Sequence, residues 1–582
     1  MFRVPRRCFL LALFVLAALA ATALAQGTAP VAKKLPSADK IVADYLKAIG
    51  GKKAAAAQKD ATYEWIINFN NQSIGTARTL RKTPASERLE LTFGNGQIIT
   101  AANPRSAWEL GLDKQLRTLT SLEAATAKLQ ATLAAPHLID FKKANVLARV
   151  ISLGDVATSP SNAPSITNTT STNNGTPTNN GTSTDNGTST NNGATNNGTV
   201  KANPTSASDP AYIVEFSMRS GARVQYYFSV KTKLITKITS DTRKTRITLE
   251  DYRPEHGLLE PHRVRMSLPG PTNATPATDG APAGELLLVL QSVKQNTGID
   301  DQLFDPPAAS ENLDVTALLR EVSRNQDETE NRVAEYSFKQ TETDREINSK
   351  GELKKQTVKV YEVYPLPNRE PVQKLISEDG VPLSPERAAK EDKRVQEEFL
   401  KAEREKEKDA QEAARRRAER DKKKQKDDED GDPEISMFLR ACDFVSPRRE
   451  RFEGRETIVF DFRPRPGFKP KTREESLIAK LIGVVWIDPV DKQVIRLEAR
   501  LAEGFKMAGG LLVSLKPGAA LVMEQTRMAE GVWLPRFAQI NLSVKVLLFA
   551  GGDFNKTIEW SDYKHFSGDV KDYKIDAPSV KP

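Results

Sequence analysis

The residue types that could do chemistry are few, and their spacing does not favour it. His137, His256, His262 and His565 are the only histidines, and none sits at the His-x-x-x-His or His-Glu-x-x-His interval that puts two imidazoles on one helix face for zinc. His256 and His262 flank Gly257. A two-histidine metal site on that turn is one reading, and a pair of exposed turn histidines is the commoner one. The sequence contains no Gly-x-Ser-x-Gly elbow, no phosphate-cradling Walker loop and no dinucleotide fingerprint. Cys442, in Leu439-Arg-Ala-Cys-Asp-Phe, lacks a nucleophile signature and reads as a partly buried structural thiol. With 76 Asp and Glu, carboxylates fall close together everywhere, so no acid–base dyad stands out. The expectation is a non-catalytic protein with no metal and no cofactor.

The N-terminus explains the shortage of cysteines. Arg3, Arg6 and Arg7 precede the apolar stretch Phe9–Ala21, and Ala23-Leu24-Ala25 is a small-x-small cleavage pattern, so residues 1–25 read as an export signal. The stretch is shorter than the ~20 residues that span a bilayer. Cleavage near Ala25 removes Cys8 and three arginines, taking the net charge from +9 to +6 and leaving Cys442 alone. One thiol makes neither an intrachain disulfide nor a cysteine metal site. A periplasmic or secreted location follows, with no transmembrane segment after cleavage and no nucleic-acid partner.

The chain has 582 residues, 38% hydrophobic and 28% charged, which excludes collagen, rod-like coiled coil and polytopic membrane protein. Two segments read as insertions. Residues 158–209 are Ser, Thr, Asn, Gly and Pro with near-repeats such as Thr178-Asn-Asn-Gly-Thr-Ser, and they bury too little to offset ordering entropy. Residues 386–432 carry 16 basic and 17 acidic side chains and read as a solvated helical polyampholyte. Within it, Arg415–Lys426 is locally basic, a patch for an anionic surface or, more simply, a solvated face neutralised by Asp427–Asp430.

The remainder alternates like β structure. Ser37 caps a helix with Ile41, Val42, Tyr45, Leu46 and Ile49 on one face, ended by Gly50-Gly51. Strand patterns follow at Tyr63–Phe69 and Leu89–Phe93, a helix at Leu122–Leu133, then six closely spaced strands from Tyr212 to Val293. The second half repeats the order, with a helix at Leu313–Asn325 and strands from Arg332 to Trp560. Short turns between them call for an antiparallel meander, because parallel strands need helical crossovers. An internal echo accompanies this order: Arg253, Gly257 and Pro261 recur at the same intervals as Arg527, Gly531 and Pro535. In each set glycine serves the reversal and proline opens the returning strand.

The opening Ala38-Asp-Lys-Ile-Val-Ala-Asp-Tyr-Leu-Lys-Ala-Ile-Gly-Gly, the turn Asp251-Tyr-Arg…Gly257…Pro261-His and Leu303-Phe-Asp-Pro-Pro307 resemble LolA-like, outer-membrane lipoprotein-sorting-type proteins. Val485-Trp-Ile-Asp-Pro489, Gly531-Val-Trp-Leu-Pro535 and Trp560-Ser-Asp-Tyr-Lys-His-Phe566 match in the second half. The resemblance implies an α+β, mainly antiparallel β fold: two curved half-barrel sheets in tandem, residues 26–308 and 309–582, each with packing helices. It also implies an acyl chain, lipoprotein or other apolar ligand held between sheet and helix. Alternation then nominates Trp65, Ile67, Phe69 and Phe216 as slot residues, and Trp486, Ile495, Leu497, Trp533 and Phe537 in the second half. The same residues serve equally as plain core, which makes the rival expectation a periplasmic structural or interaction module with packed sheets and an envelope protein partner.

Overall fold

The computed structural model describes residues 35–155 except 136 and 140, 209–267, 285–309, 313–348 except 334, 353–366, 371–420, 433–507, 513–546 except 530, and 553–565. The segment read as an export signal, the low-complexity residues 158–208 and residues 421–432 of the charged insertion lie outside the described residues.

Two large antiparallel sheets dominate, as the α+β, mainly antiparallel expectation requires. The first half opens with helices α1 (Ala38–Ala48) and α2 (Lys52–Ala57). Strands β1 (Asp60–Phe69), β2 (Gln72–Lys82), β3 (Ser86–Phe93), β4 (Gly96–Ala102), β5 (Ala107–Leu110) and β6 (Leu116–Thr118) lead to helix α3 (Ser121–Ala134). Then come β7 (Leu147–Asp155), β8 (Pro210–Ser217), β9 (Arg223–Ser229), β10 (Ile235–Ser240), β11 (Thr245–Glu255), β12 (Leu258–Ser267) and β13 (Glu285–Gln295). The second half runs α4 (Val315–Val333), β14 (Tyr336–Ile347), β15 (Leu353–Tyr364), β16 (Val372–Glu378), β17 (Val381–Pro382), α5 (Pro385–Arg420) and α6 (Pro433–Ala441). It continues through β18 (Cys442–Phe452), β19 (Arg455–Pro464), α7 (Arg473–Ile478), β20 (Leu481–Asp488), β21 (Gln493–Leu501), β22 (Phe505–Met507) and β23 (Val513–Leu515). It closes with β24 (Ala520–Arg527), β25 (Trp533–Val546) and β26 (Asp553–His565).

The strand orders superpose. The first sheet reads β6-β5-β4-β3-β2-β1-β13-β12-β11-β10-β9-β8-β7 and the second β17-β16-β15-β14-β26-β25-β24-β21-β20-β19-β18. Strand β1 thus corresponds to β14, β13 to β26, and β7 to β18. The first half adds the β5–β6 hairpin, and the second adds the small β22–β23 pair.

The correspondence reaches single turns. Between β9 and β10 the Lys233 N–H donates to the Ser229 carbonyl at 3.0 Å, and between β20 and β21 the Lys492 N–H donates to Asp488 at 3.0 Å. Both lysines take positive φ, 65° and 52°. In each turn the first side chain accepts from the backbone three residues on, Ser229 Oγ from Thr232 N–H and Asp488 Oδ1 from Asp491 N–H, both at 2.9 Å. The Arg–Gly–Pro echo also occupies matching hairpins, β11–β12 and β24–β25, with φ of 85° at Gly257 and 84° at Gly531.

Helix α1 forms as its sequence dictates: Ser37 Oγ accepts from Lys40 N–H, and Ile41, Val42, Tyr45 and Leu46 are buried. They pack on Phe216, Val224, Tyr226 and Phe228 of the sheet, with Tyr45 edge-on to Phe228 at 5.7 Å. Gly50 is required where the helix ends. A Cβ there would lie 2.3 Å from the Gly257 carbonyl oxygen, so helix terminus and hairpin turn can approach only at glycine. In the second half α4 covers the corresponding sheet face through Val315, Leu318, Leu319 and Val322, against Ile458, Phe460, Phe462, Val485 and Ile487.

Candidate functional site

An open cleft of about 330 Å3 lies beside the first turns of α1. Pro36, Lys40, Ile41 and Asp44 form one wall, and Tyr212, Phe228, Ser229 and Lys233 form the floor and far lip. The floor follows from strand register. Leu153 pairs with Tyr212, Tyr212 with Phe228, and Phe228 with Ile235, so four apolar side chains make one row across β7, β8, β9 and β10. Exposure along this row falls from 51% at Leu153 to 1% at Phe228 and 4% at Ile235. The row is an apolar ramp from the sheet edge into the core beneath α1.

The cleft lip is charged. Lys40 pairs with Asp44 on the same helix at 3.1 Å. Lys233 donates to the Val230 carbonyl, a neutral partner. Asp44, itself in the lining, offsets Lys40, so the lip offers the Lys233 ammonium beside an apolar floor, an arrangement suited to an amphiphile with an anionic head.

The corresponding place in the second half holds a smaller cleft of about 210 Å3, lined by α4, Ile458 and Lys492. Ile458, Ile487 and Val494 form the matching row. There Lys492 reaches Glu321 of α4 at 3.4 Å, clipping helix to turn.

The nominated slot residues divide differently. Trp65 and Ile67 are buried in one cluster with Leu91, Val264 and Leu288, and Phe69 packs against its margin. Phe216 belongs to a separate cluster under α1. In the second half Trp486, Ile495 and Trp533 share a cluster on the sheet face away from α4, whereas Leu497 packs on the α4 side. Phe537, half-buried, is paired between Glu524 and Glu559. Leu497 pairs with Val485 and so faces away from Trp486, and Ile495 joins Trp486 rather than Leu497 because the β20–β21 ladder slips between Trp486 and Ile487, leaving Ile495 as the extra residue. The structure brings no single slot together from these side chains. Tyr212 and Phe228, which do line the cleft, were legible as same-face partners of Phe216 by the period of two, but Leu153 and Lys233 carry no local signal.

Two buried polar groups test the catalytic alternative. In the first half Tyr63 donates to Glu260 at 2.9 Å, and His137 Nε2 lies 2.6 Å from Gln58 Oε1 and 3.4 Å from Glu260. Tyr63, Glu260, His137 and Gln58 are all buried. Burial holds the His137 imidazolium below its ordinary value and the Tyr63 hydroxyl well above its own, which favours the neutral form of both.

The second group joins the halves. Arg448 pairs with Glu450 at 2.7 Å and with Asp461 at 3.1 Å. Thr118 gives its N–H (2.7 Å) and hydroxyl (2.5 Å) to Glu450, and Ser106 gives its hydroxyl to Asp461 at 2.6 Å. Arg496 and Glu498 hold Ser121, and Arg500 donates to the Pro104 carbonyl. Residues 104–121, the β5–β6 hairpin and the start of α3, thus sit on the face of β18–β21. Every charge here has an opposite charge or a hydrogen-bond partner, the arrangement of a structural seam.

His256 Nε2 lies 3.0 Å from the Val293 carbonyl and His262 lies 3.0 Å from Glu255, so the two turn histidines have different partners. Among the described residues no group of three or more His, Cys, Asp or Glu is arranged to hold a metal ion. No described helix is long and apolar enough to cross a membrane.

No family model matches the chain. No curated protein matches it either. Similar solved structures include a DUF1329 family protein from Desulfovibrio piger, with TM-score 0.26 and 9% identity over 46% of this chain and 96% of that one. OccAB4 of Acinetobacter baumannii aligns at TM-score 0.08 and 8% identity over 87% of this chain and 96% of that one.

Proposed function

We propose that this chain is an exported, non-catalytic binder of an acyl-chain amphiphile, built from two LolA-like halves, and that the amphiphile lies in the cleft beside α1. The observation that carries this reading is the ramp Leu153–Tyr212–Phe228–Ile235, which leads from an exposed edge to a buried floor. Its volume of about 330 Å3 falls at the lower end of the ~300–1,000 Å3 typical of ligand sites. Lys233 at the lip complements a carboxylate or phosphate head. The matching strand orders of the two sheets support the tandem reading.

The rival, a packed structural module, draws on Trp65, Ile67 and Phe216, which are buried as ordinary core. Native mass spectrometry of residues 26–582 purified from an envelope fraction, with laurate as added probe, separates the two. Binding of one laurate, weakened at least tenfold by Tyr212→Arg in protein of unchanged circular dichroism, supports the binder. A clean apo mass without uptake favours the module.

A further inference from the structure

The charged insertion has a task in the fold. Strand β3 of the first sheet is paired along its length by β4, from Glu87↔Ala102 to Phe93↔Gly96. The corresponding strand of the second sheet, β16, is not. Its outer neighbour β17 pairs only at Ser377↔Pro382 and Glu378↔Val381. The Ile376 carbonyl accepts from the Leu383 N–H at 3.2 Å just beyond β17, and residues 372–375 therefore end the sheet with outward backbone groups that a strand would otherwise satisfy.

Helix α5 supplies those partners from side chains. Glu391 Oε1 accepts from the Leu375 N–H at 3.0 Å, and Arg394 donates to the Gln373 carbonyl. One acceptor and one donor, two residues apart on the edge, are what a neighbouring peptide unit presents. Glu391 and Arg394 are themselves paired through Arg394 Nε at 3.0 Å, which fixes both heads. Lys374 with Asp392 (2.7 Å) and Arg387 with Glu378 (2.9 Å) strap the helix on either side. Val395 and Phe399, an i, i+4 pair, are buried against Leu366 and Val372, with Ala402 next on the same stripe. These contacts fall between Arg387 and Ala402 of this 36-residue helix.

We propose that α5 guards a strand-accepting edge, and that without it β16 pairs with β16 of a second copy of this chain. The position is strand-accepting by construction, since β4 fills its counterpart in the first sheet. Two identical edges freed together meet about a two-fold axis, the commonest symmetry of homodimers. The guard thus keeps the chain monomeric while its sheet ends early.

The test is light scattering on size-exclusion chromatography of the full chain across rising concentration, with hydrogen exchange at Leu375. The double variant Glu391→Ala/Arg394→Ala is expected to shift from the monomer to twice its mass. The exchanged pair Glu391→Arg/Arg394→Glu keeps an ion pair but inverts donor and acceptor, and is expected to dimerise as well. Adding Leu375→Pro, which deletes the edge N–H, is expected to return either variant to the monomer. Variants that stay monomeric although the Leu375 amide exchanges faster than in the parent, its edge freed, overturn the proposal. So does dimerisation that survives Leu375→Pro, because the contact then lies elsewhere.

Discussion

Ser106 and Asp461, 355 positions apart in the chain, share a 2.6 Å hydrogen bond inside the seam between the two halves. Asp461 is fully buried and also pairs with Arg448. The bond ties a hairpin that, among the described residues, the first half alone possesses to the face of the second sheet.

Breaking this seam on one side is costly. Asp461→Ala leaves Arg448 buried with one carboxylate in place of two, and the expected loss of unfolding free energy is about 3–5 kcal/mol. Removing the cation as well, Arg448→Met with Asp461→Ala, should cost more than the single change, because Glu450 is then buried without its partner. Urea denaturation of the variants measures both.

Lys128 gives the seam a pH dependence. Its ammonium donates to the Arg105 carbonyl, and burial pulls its pKa down to about 8 from 10.5. The unfolded chain therefore binds the extra proton between these values, and stability rises with pH across that window. Relative to Lys128→Met, the parent should gain stability from pH 8 to 10.5 and be at its greatest disadvantage below pH 8. Parallel melting curves of the two proteins report the difference, and parallel slopes would count against this account.

Cys442 lies in the α4-covered core with no exposed surface, and burial pushes its thiol up to about 12. Thiolate attack at pH 8 should be negligible in the folded protein. A thiol reagent is expected to label Cys442 only as fast as the chain unfolds, so labelling should accelerate with denaturant in step with loss of structure.

At the α1 cleft, Lys233→Glu should weaken laurate about three- to tenfold at low salt while leaving dodecanol binding unchanged. The deficit should shrink near 1 M salt, where screening acts within ~3 Å. Isothermal titration with the two probes separates a head-group effect from a damaged floor.

Much of the fold was legible locally. The α1 stripe and its Ser37 cap, the helix at 122–133 and the alternating strands around Trp65 and Phe216 follow from period and capping alone. The Arg–Gly–Pro echo located matching hairpins from three residues each. Strands β2 and β18 were not legible. Gln72–Lys82 holds few apolar positions, and Cys442–Phe452 buries Arg448 and Glu450, charges that look like surface until a partner is seen. The slot residues fall into separate clusters for another reason. Alternation tells which side chains share a face but not which face a helix covers, and one slipped pair at Trp486/Ile487 reverses the count along β21.

The sequence by itself determined the antiparallel β character, the charged helix that begins at Pro385 and the repeated order of elements, because period, turns and composition act over a few residues. Tertiary structure alone decided that residues 104–121 rest on buried charges of β18–β21, that Leu153, Tyr212, Phe228 and Ile235 align into a ramp, and that Glu391 and Arg394 complete a sheet edge. Each of these joins strands or helices through register and docking. A charged side chain far along the chain looks solvated until the fold brings its partner within hydrogen-bond distance and removes the water between them.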